Sequence, residues 1–277
     1  MDRVRLSVTN LGCPAWPLQR FFEEALRLGY EGVELRCLDG GLLTPAVDAR
    51  VRGEVARLSA ATGLPVVAVG ANSRFSMADA QERAAQELDL CGMIDLAAEL
   101  GAPVVRAYGG PLPEDEPEGV VCARIAESVA RVAEHAAARG VDIALETHDG
   151  LSSARVAREV LARLAHPRVH ALWDVLHPTR VGETPEQVWD WIGARVRHVH
   201  LKDARRGPDG RWRAVVAGDG EVPMRRCLEV LWACGYRGWI TLEWEKYWEP
   251  EIAPPEVALP RQLAVVRHWL DEVCAGR

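Results

Sequence analysis

Four residues able to hold a metal ion recur at matching points of successive repeats. They are Glu146 in Leu145-Glu146-Thr147-His148, Asp174 in Trp173-Asp174, His200 in His198-Val199-His200-Leu201-Lys202, and Glu243 in Leu242-Glu243-Trp244-Glu245. Each lies at or near the end of a short apolar or β-branched run, and the intervals between them are 28, 26 and 43 residues. The first two intervals match one strand-helix repeat, while the third contains a long polar stretch over 203–222. Three carboxylates and one imidazole suit Mn2+ above all, with Mg2+, Co2+ or Zn2+ possible, whereas a closed structural zinc site favours thiolates. Singly, Glu146 reads as a helix cap, Asp174 as a loop acceptor and His200 as a satisfied core histidine. Four such groups at the same end of adjacent strands resist that reading, because buried charges are costly unless paired or bound to a metal.

The elements that must position them follow from the pattern. Short β-branched runs alternate with longer alanine-, leucine- and arginine-rich stretches of helical period, as in parallel β-α-β units. Strands are predicted at 4–9, 32–36, 65–69, 103–108, 141–146, 169–174, 196–202 and 239–243. Helices are predicted at 17–28, 46–62, 76–100, 119–139, 153–166, 185–193, 223–234 and 256–274. Gly29, Gly63, Gly101, Gly140 and Gly235 each follow a helix, where glycine takes up the left-handed conformation that ends it. Eight units over 277 residues predict one (β/α)8 TIM barrel domain over 1–277, with the site on the carboxyl ends of the strands. A doubly wound open sheet is the rival, but no G-x-G-x-x-G follows the first strand.

Period-two alternation picks out further inward candidates: Glu34 with Arg36, Arg106 with Tyr108, and His198 with His200 and Lys202. Lys202 is expected near the rim, neutralising an oxyanion or pairing with Glu245 or Asp203. Trp16 after the first strand and Trp248 after the eighth are candidates for a wall that stacks on a sugar ring, although tryptophan is usually core or interface material.

Composition narrows the partners. The chain is 48% hydrophobic and 26% charged, and 33 basic against 40 acidic residues leave a formal charge of −7, which disfavours nucleic acid. Seven cysteines without a C-x-x-C pair are expected to be reduced, buried packing residues. No 18-residue apolar window and no signal-peptide pattern after Met1-Asp2 are present, so neither a membrane span nor export is expected, and the cytoplasm is the default compartment. A monomer or homodimer acting on a small molecule fits this profile.

The motifs Leu145-Glu146-Thr147-His148, Trp173-Asp174-Val175-Leu176-His177, His198-Val199-His200-Leu201-Lys202-Asp203 and Gly218-Asp219-Gly220-Glu221-Val222-Pro223 together resemble the sugar phosphate isomerase/epimerase family of xylose isomerase-like barrels. The resemblance covers nearly the whole chain. It implies that Glu146 and Glu243 are both metal ligands and the acid/base pair on opposite faces of a bound ketose. It also implies that His177 contacts a substrate hydroxyl or carbonyl and that Arg205 or Arg206 binds substrate, with His148, Lys202, Arg106 and Glu34 as further candidates.

The reaction so implied is proton transfer beside a ketone through a metal-stabilised enediolate on a sugar, ketose or related polyol ketone. Epimerisation, aldose-ketose isomerisation and the β-elimination of inosose dehydratases share its first half. Nucleases of the endonuclease IV type carry extra histidines after strands three and four, where this chain has Val69-Gly70-Ala71-Asn72 and Ala107-Tyr108-Gly109-Gly110. A non-catalytic barrel is disfavoured because all four carboxylate and histidine positions are retained. Asp219, between Gly218 and Gly220, suggests a site that repels phosphate and therefore an unphosphorylated polyol.

Overall fold

The computed structural model describes residues 3–38 and 40–276. The Met1-Asp2 pair of the export reading lies outside them. Eight strands, β1 (Arg5–Thr9), β2 (Gly32–Leu35), β3 (Val66–Gly70), β4 (Val104–Ala107), β5 (Asp142–Glu146), β6 (Val169–Asp174), β7 (Val196–Leu201) and β8 (Trp239–Leu242), form a closed barrel. Every neighbouring pair is parallel, and β8 closes the ring against β1 with Trp239 opposite Arg5 and Leu242 opposite Val8. The outer ring is α1 (Leu18–Leu28), α2 (Ala49–Thr62), α3 (Ala80–Glu99), α4 (Glu118–Arg139), α5 (Ala154–Ala162), α6 (Pro185–Ile192), α7 (Met224–Ala233) and α8 (Pro255–Cys274).

The predicted strands agree with these ends to within one residue, and the helices differ more, for local reasons. Helix α3 starts at Ala80 because the Asp79 carboxylate caps the Gln81 and Glu82 amides at 2.7 and 2.9 Å, leaving 76–78 outside. Helix α5 stops at Ala162, ahead of His166-Pro167, where proline disfavours helical geometry for the residue before it. All five glycines that follow helices have positive φ, from 70° to 95°.

The stretch after β7 is ordered more than a loop. Asp203–Arg206 pairs antiparallel with Trp212–Val215 as a two-stranded ribbon, and Leu176–Arg180 forms a helical turn after β6. A shorter ribbon joins Cys37–Leu38 to Gly41–Leu42. All seven cysteines are free; Cys13, Cys37, Cys122 and Cys227 are buried and Cys91 is half-buried, whereas Cys234 and Cys274 are exposed near helix C-termini, so the expectation of burial holds for four, is met in part by Cys91 and fails for the last two.

The barrel interior is divided. On β3 to β6 its middle layer is apolar, with Ala68, Val104, Ala144 and Leu172 packed as a separate cluster inside the ring. On β1, β2, β7 and β8 it is polar: Ser7, Glu34, His198 and Thr241 are each at most 1% exposed. These four hydrogen-bond one another, Ser7 Oγ to Thr241 Oγ1 at 2.8 Å, His198 Nε2 to Thr241 Oγ1 at 2.8 Å, and Thr241 Oγ1 to Glu34 Oε2 at 3.0 Å. The period of two then carries the next side chain of each strand up to the mouth, which is where Arg106, Glu146, Asp174 and His200 emerge.

Candidate metal centre and active site

Glu146, Asp174, His200 and Glu243 each offer one donor atom, all within 4.8 Å of one another and all buried. Strands β5, β6 and β7 deliver the first three at their last turns, and Glu243 follows β8, so the two glutamates approach from opposite sides of His200. Asp174 is held by its own backbone: its amide donates to Thr147 Oγ1 at 3.0 Å, and its Oδ1 accepts the Leu176 amide at 2.8 Å. Its Oδ2 receives no directed hydrogen bond, although Lys202 Nζ lies 3.0 Å away. His200 Nδ1 faces Glu146 Oε1 at 3.1 Å and Glu243 Oε1 at 3.6 Å. This hard, inward-aimed donor set with an under-satisfied buried carboxylate oxygen fits a divalent ion.

The reverse edge of His200 identifies a partner. Its Nε2 lies 3.0 Å from Glu34 Oε2, which also meets His198 Nε2 at 3.1 Å. A metal-ligating histidine usually gives its other N–H to a carboxylate that fixes tautomer and ring angle. Glu34 stands in that relation to His200. It lies below the mouth and does not line the cavity, which corrects its assignment as a substrate contact. The triad Glu34, His198 and His200 also has ligand-like spacing, but its contacts form a closed hydrogen-bonded set about one carboxylate oxygen.

Electrostatics follow from two buried cations. Burial would raise the Glu146 carboxyl, but Arg106, whose Nε is 2.6 Å from Glu146 Oε2, and the His200 hydrogen bond hold it well below the ordinary carboxylate range. Burial likewise opposes Glu243, and Lys202 at 2.7 Å brings it down. Asp174 goes the other way: burial, helped by Glu243 and Glu146, outweighs Lys202 and pushes it up to about 6. Burial also depresses His177 well below its usual value, aided by Lys202 and His148.

A cavity of about 750 Å3 opens above this cluster. Arg106, His148, His177, Glu243 and Trp248 all line it, as do Arg36, Tyr108, Arg180, Arg206, Trp212 and Glu245. One wall is a chain of ring contacts: the Arg106 guanidinium sits 3.6 Å from the Tyr108 ring, Tyr108 lies 4.6 Å from His148, and His148 lies 4.3 Å from His177. His177 Nε2 is buried without a hydrogen-bond partner at this surface.

Several candidates fall elsewhere. Trp16 lies under the Arg20 guanidinium at 4.3 Å and lines neighbouring grooves outside the cavity, because the loop after β1 turns away through a short helical turn. Arg205 points outward to the Asp219 carbonyl, while Arg206, its neighbour on an extended ribbon, reaches the cavity. Lys202 pairs with Glu245 at 3.1 Å as one option required, but not with Asp203. Asp203 faces the other way and accepts the amides of Ala204, Gly218, Gly220 and Val222. Asp219 is exposed beside Arg261 at 3.2 Å and does not line the cavity, so the inference of a phosphate-repelling site loses its basis.

Residues 22–269 match the family model of the xylose isomerase-like TIM barrel, and the chain belongs to that family. Within it, the chain is 27% identical to fructoselysine 3-epimerase of Shigella flexneri over 82% of this chain and 85% of that one. It is 29% identical to inosose dehydratase of Geobacillus thermodenitrificans over 52% of each. Among solved structures, the IOLI protein with a bound zinc atom superposes with a TM-score of 0.83 over 97% of this chain and 99% of that chain, at 17% identity. Among the described residues no helix is long and apolar enough to cross a membrane.

Proposed function

We propose that this protein is a divalent-metal-dependent epimerase or isomerase that moves a carbon-bound proton beside the carbonyl of a ketose or related polyol ketone. The observation that carries the reading is the placement of two buried glutamates, at the ends of β5 and β8, around one candidate metal position with Asp174 and His200 between them. Glu146, Asp174, His200 and Glu243 would hold the ion, Mn2+ by preference. When bound, it would polarise the substrate carbonyl and stabilise negative charge on the neighbouring oxygen.

The chain's own groups account for the remainder. Glu146 and Glu243 work as a pair: the ionised one takes the proton from carbon, and the other, after taking up a proton from solvent, delivers that proton to the opposite face, which inverts the carbon. Arg106 favours the ionised form of Glu146 and Lys202 that of Glu243, so each is suited to act as the base in turn, and the Lys202 ammonium stands beside the developing oxyanion. His177, kept neutral by burial, offers its free Nε2 to a substrate hydroxyl. The Tyr108-His148-His177 wall and Trp248 flank the cavity and limit water.

Epimerisation is preferred over dehydration because the 3-epimerase relative is matched over most of its length and the dehydratase over about half. The test is incubation of Mn2+-loaded protein in D2O with ketoses, ketose derivatives and inososes, followed by NMR. Deuterium entering the carbon next to the carbonyl, with formation of the epimer, supports the reading. An absence of exchange into every ketone tried, at verified metal occupancy, would count against it.

A further inference from the structure

The charges lining the cavity are unequally matched. Its carboxylates are already engaged: Glu243 and Glu245 with Lys202 at 2.7 and 3.1 Å, and Asp149 with His148 at 2.9 Å. Arg106 is committed to Glu146. Arg36, Arg180 and Arg206 line the same space, and none has a carboxylate partner among the described residues. Arg180 and Arg206 are exposed and need no counter-ion, but Arg36 is only 3% exposed.

Arg36 is also fixed in place. Its side chain lies across Gly70, where a Cβ would sit 2.4 Å from Arg36 Cδ, so the absence of a side chain at the end of β3 makes room for it. Its NH2 group donates to Asn72 Oδ1 at 2.7 Å and to the Tyr108 hydroxyl at 3.1 Å, and NH1 donates to the Gly70 carbonyl at 3.5 Å. All three partners are neutral. A buried guanidinium held by neutral acceptors at a cavity wall keeps its charge uncompensated, which is unfavourable until an anion arrives.

We propose that Arg36 anchors an anionic group of the substrate, a carboxylate or a phosphate ester, and so selects acidic ketoses over neutral ones. The inference rests on the cavity being the substrate site. Tyr108 and Arg106 intervene between Arg36 and Glu146, so the anion lies at the end of the substrate away from the reacting carbon. Both sources of charge accept charge-assisted hydrogen bonds from a guanidinium.

Calorimetric titration of Mn2+-loaded protein with D-fructose, D-fructuronate and D-fructose 6-phosphate separates the sources. At least one acidic ketose should bind roughly 10- to 100-fold more tightly than D-fructose, the scale of a charge-assisted hydrogen bond. Arg36→Gln should erase that preference, so that the acidic ketoses bind the variant no more tightly than D-fructose does, because the charge that distinguishes them is gone. Equal binding of all three ketoses, or a preference that survives in Arg36→Gln, would overturn the proposal. Should Arg36→Gln fail to fold, Asn72→Ala and Tyr108→Phe decide, because each frees one side of the guanidinium; an unchanged preference in both counts against Arg36. If no ketose binds, inorganic phosphate titrated into metal-free protein separates the two readings. Phosphate binding lost in the Arg36 or clamp variants keeps the anion site while the ketose reading fails, and no phosphate binding removes both.

Discussion

Glu34 Oε2 and His200 Nε2 lie 3.0 Å apart, on the edge of the imidazole opposite the candidate metal position. Burial would raise the Glu34 carboxyl, but His200 and His198 hold it well below the usual range, so it is a full acceptor. Glu34→Gln keeps the size and all four donors yet removes the charge that orients His200. Mn2+ affinity, read by competition with a chromophoric chelator, should fall about 10- to 100-fold. An unchanged affinity would mean that the ring is held by packing alone.

Lys202 neutralises three carboxylates at once, Asp174, Glu243 and Glu245, while 4% exposed. Lys202→Met leaves buried negative charge without its partner, and breaking such a pair costs about 3–5 kcal/mol. Thermal unfolding of the metal-free variant should therefore occur roughly 6–20 °C lower than that of the parent. Saturating Mn2+ should shrink the gap, since a divalent ion repels Lys202 and itself balances the carboxylates. An equal gap with and without Mn2+ would contradict the shared neutralisation.

Gly32 opens β2 where an added Cβ would lie 2.6 Å from Val67 Cγ1 and 3.0 Å from the Trp239 ring. Gly32→Ala overpacks the seam between β2, β3 and β8 and should lower stability by about 1–3 kcal/mol, measured by denaturant titration. Metal affinity should be unchanged, because the clash lies at the opposite end of the strands from the donors.

The barrel was legible because each strand is a β-branched run that ends where a carboxylate, an imidazole or a loop begins, and because glycine marks the helix ends. The four donors were legible for the same reason: strand ends in parallel register bring residues one repeat apart together. What was hidden depended on turns and parity. Trp16 and Arg205 are the right residue types, but a short helical turn carries one away and ribbon alternation faces the other outward. Arg180 and Trp212 were missed because Pro178 and the Arg-, Gly- and Asp-rich 205–213 stretch disguise a helical turn and a ribbon. Glu34 was found by alternation, but only the cross-barrel contacts with His198 and His200 show that it sits beneath the candidate ligands.

The central claim is that Glu146 and Glu243 move the proton as well as hold the ion. Glu146→Gln and Glu243→Gln separate the two roles, because a carboxamide oxygen can still coordinate but cannot accept a proton near neutral pH. The decisive measurement is the rate of epimer formation in D2O from a substrate found by the ketone screen, with Mn2+ raised until each variant is fully occupied. Each variant should be slower by about 10²- to 10⁴-fold, the usual contribution of a general acid or base. Epimer formation at the parental rate in either fully loaded variant would show that glutamate to be a ligand alone, and the two-base account would be wrong.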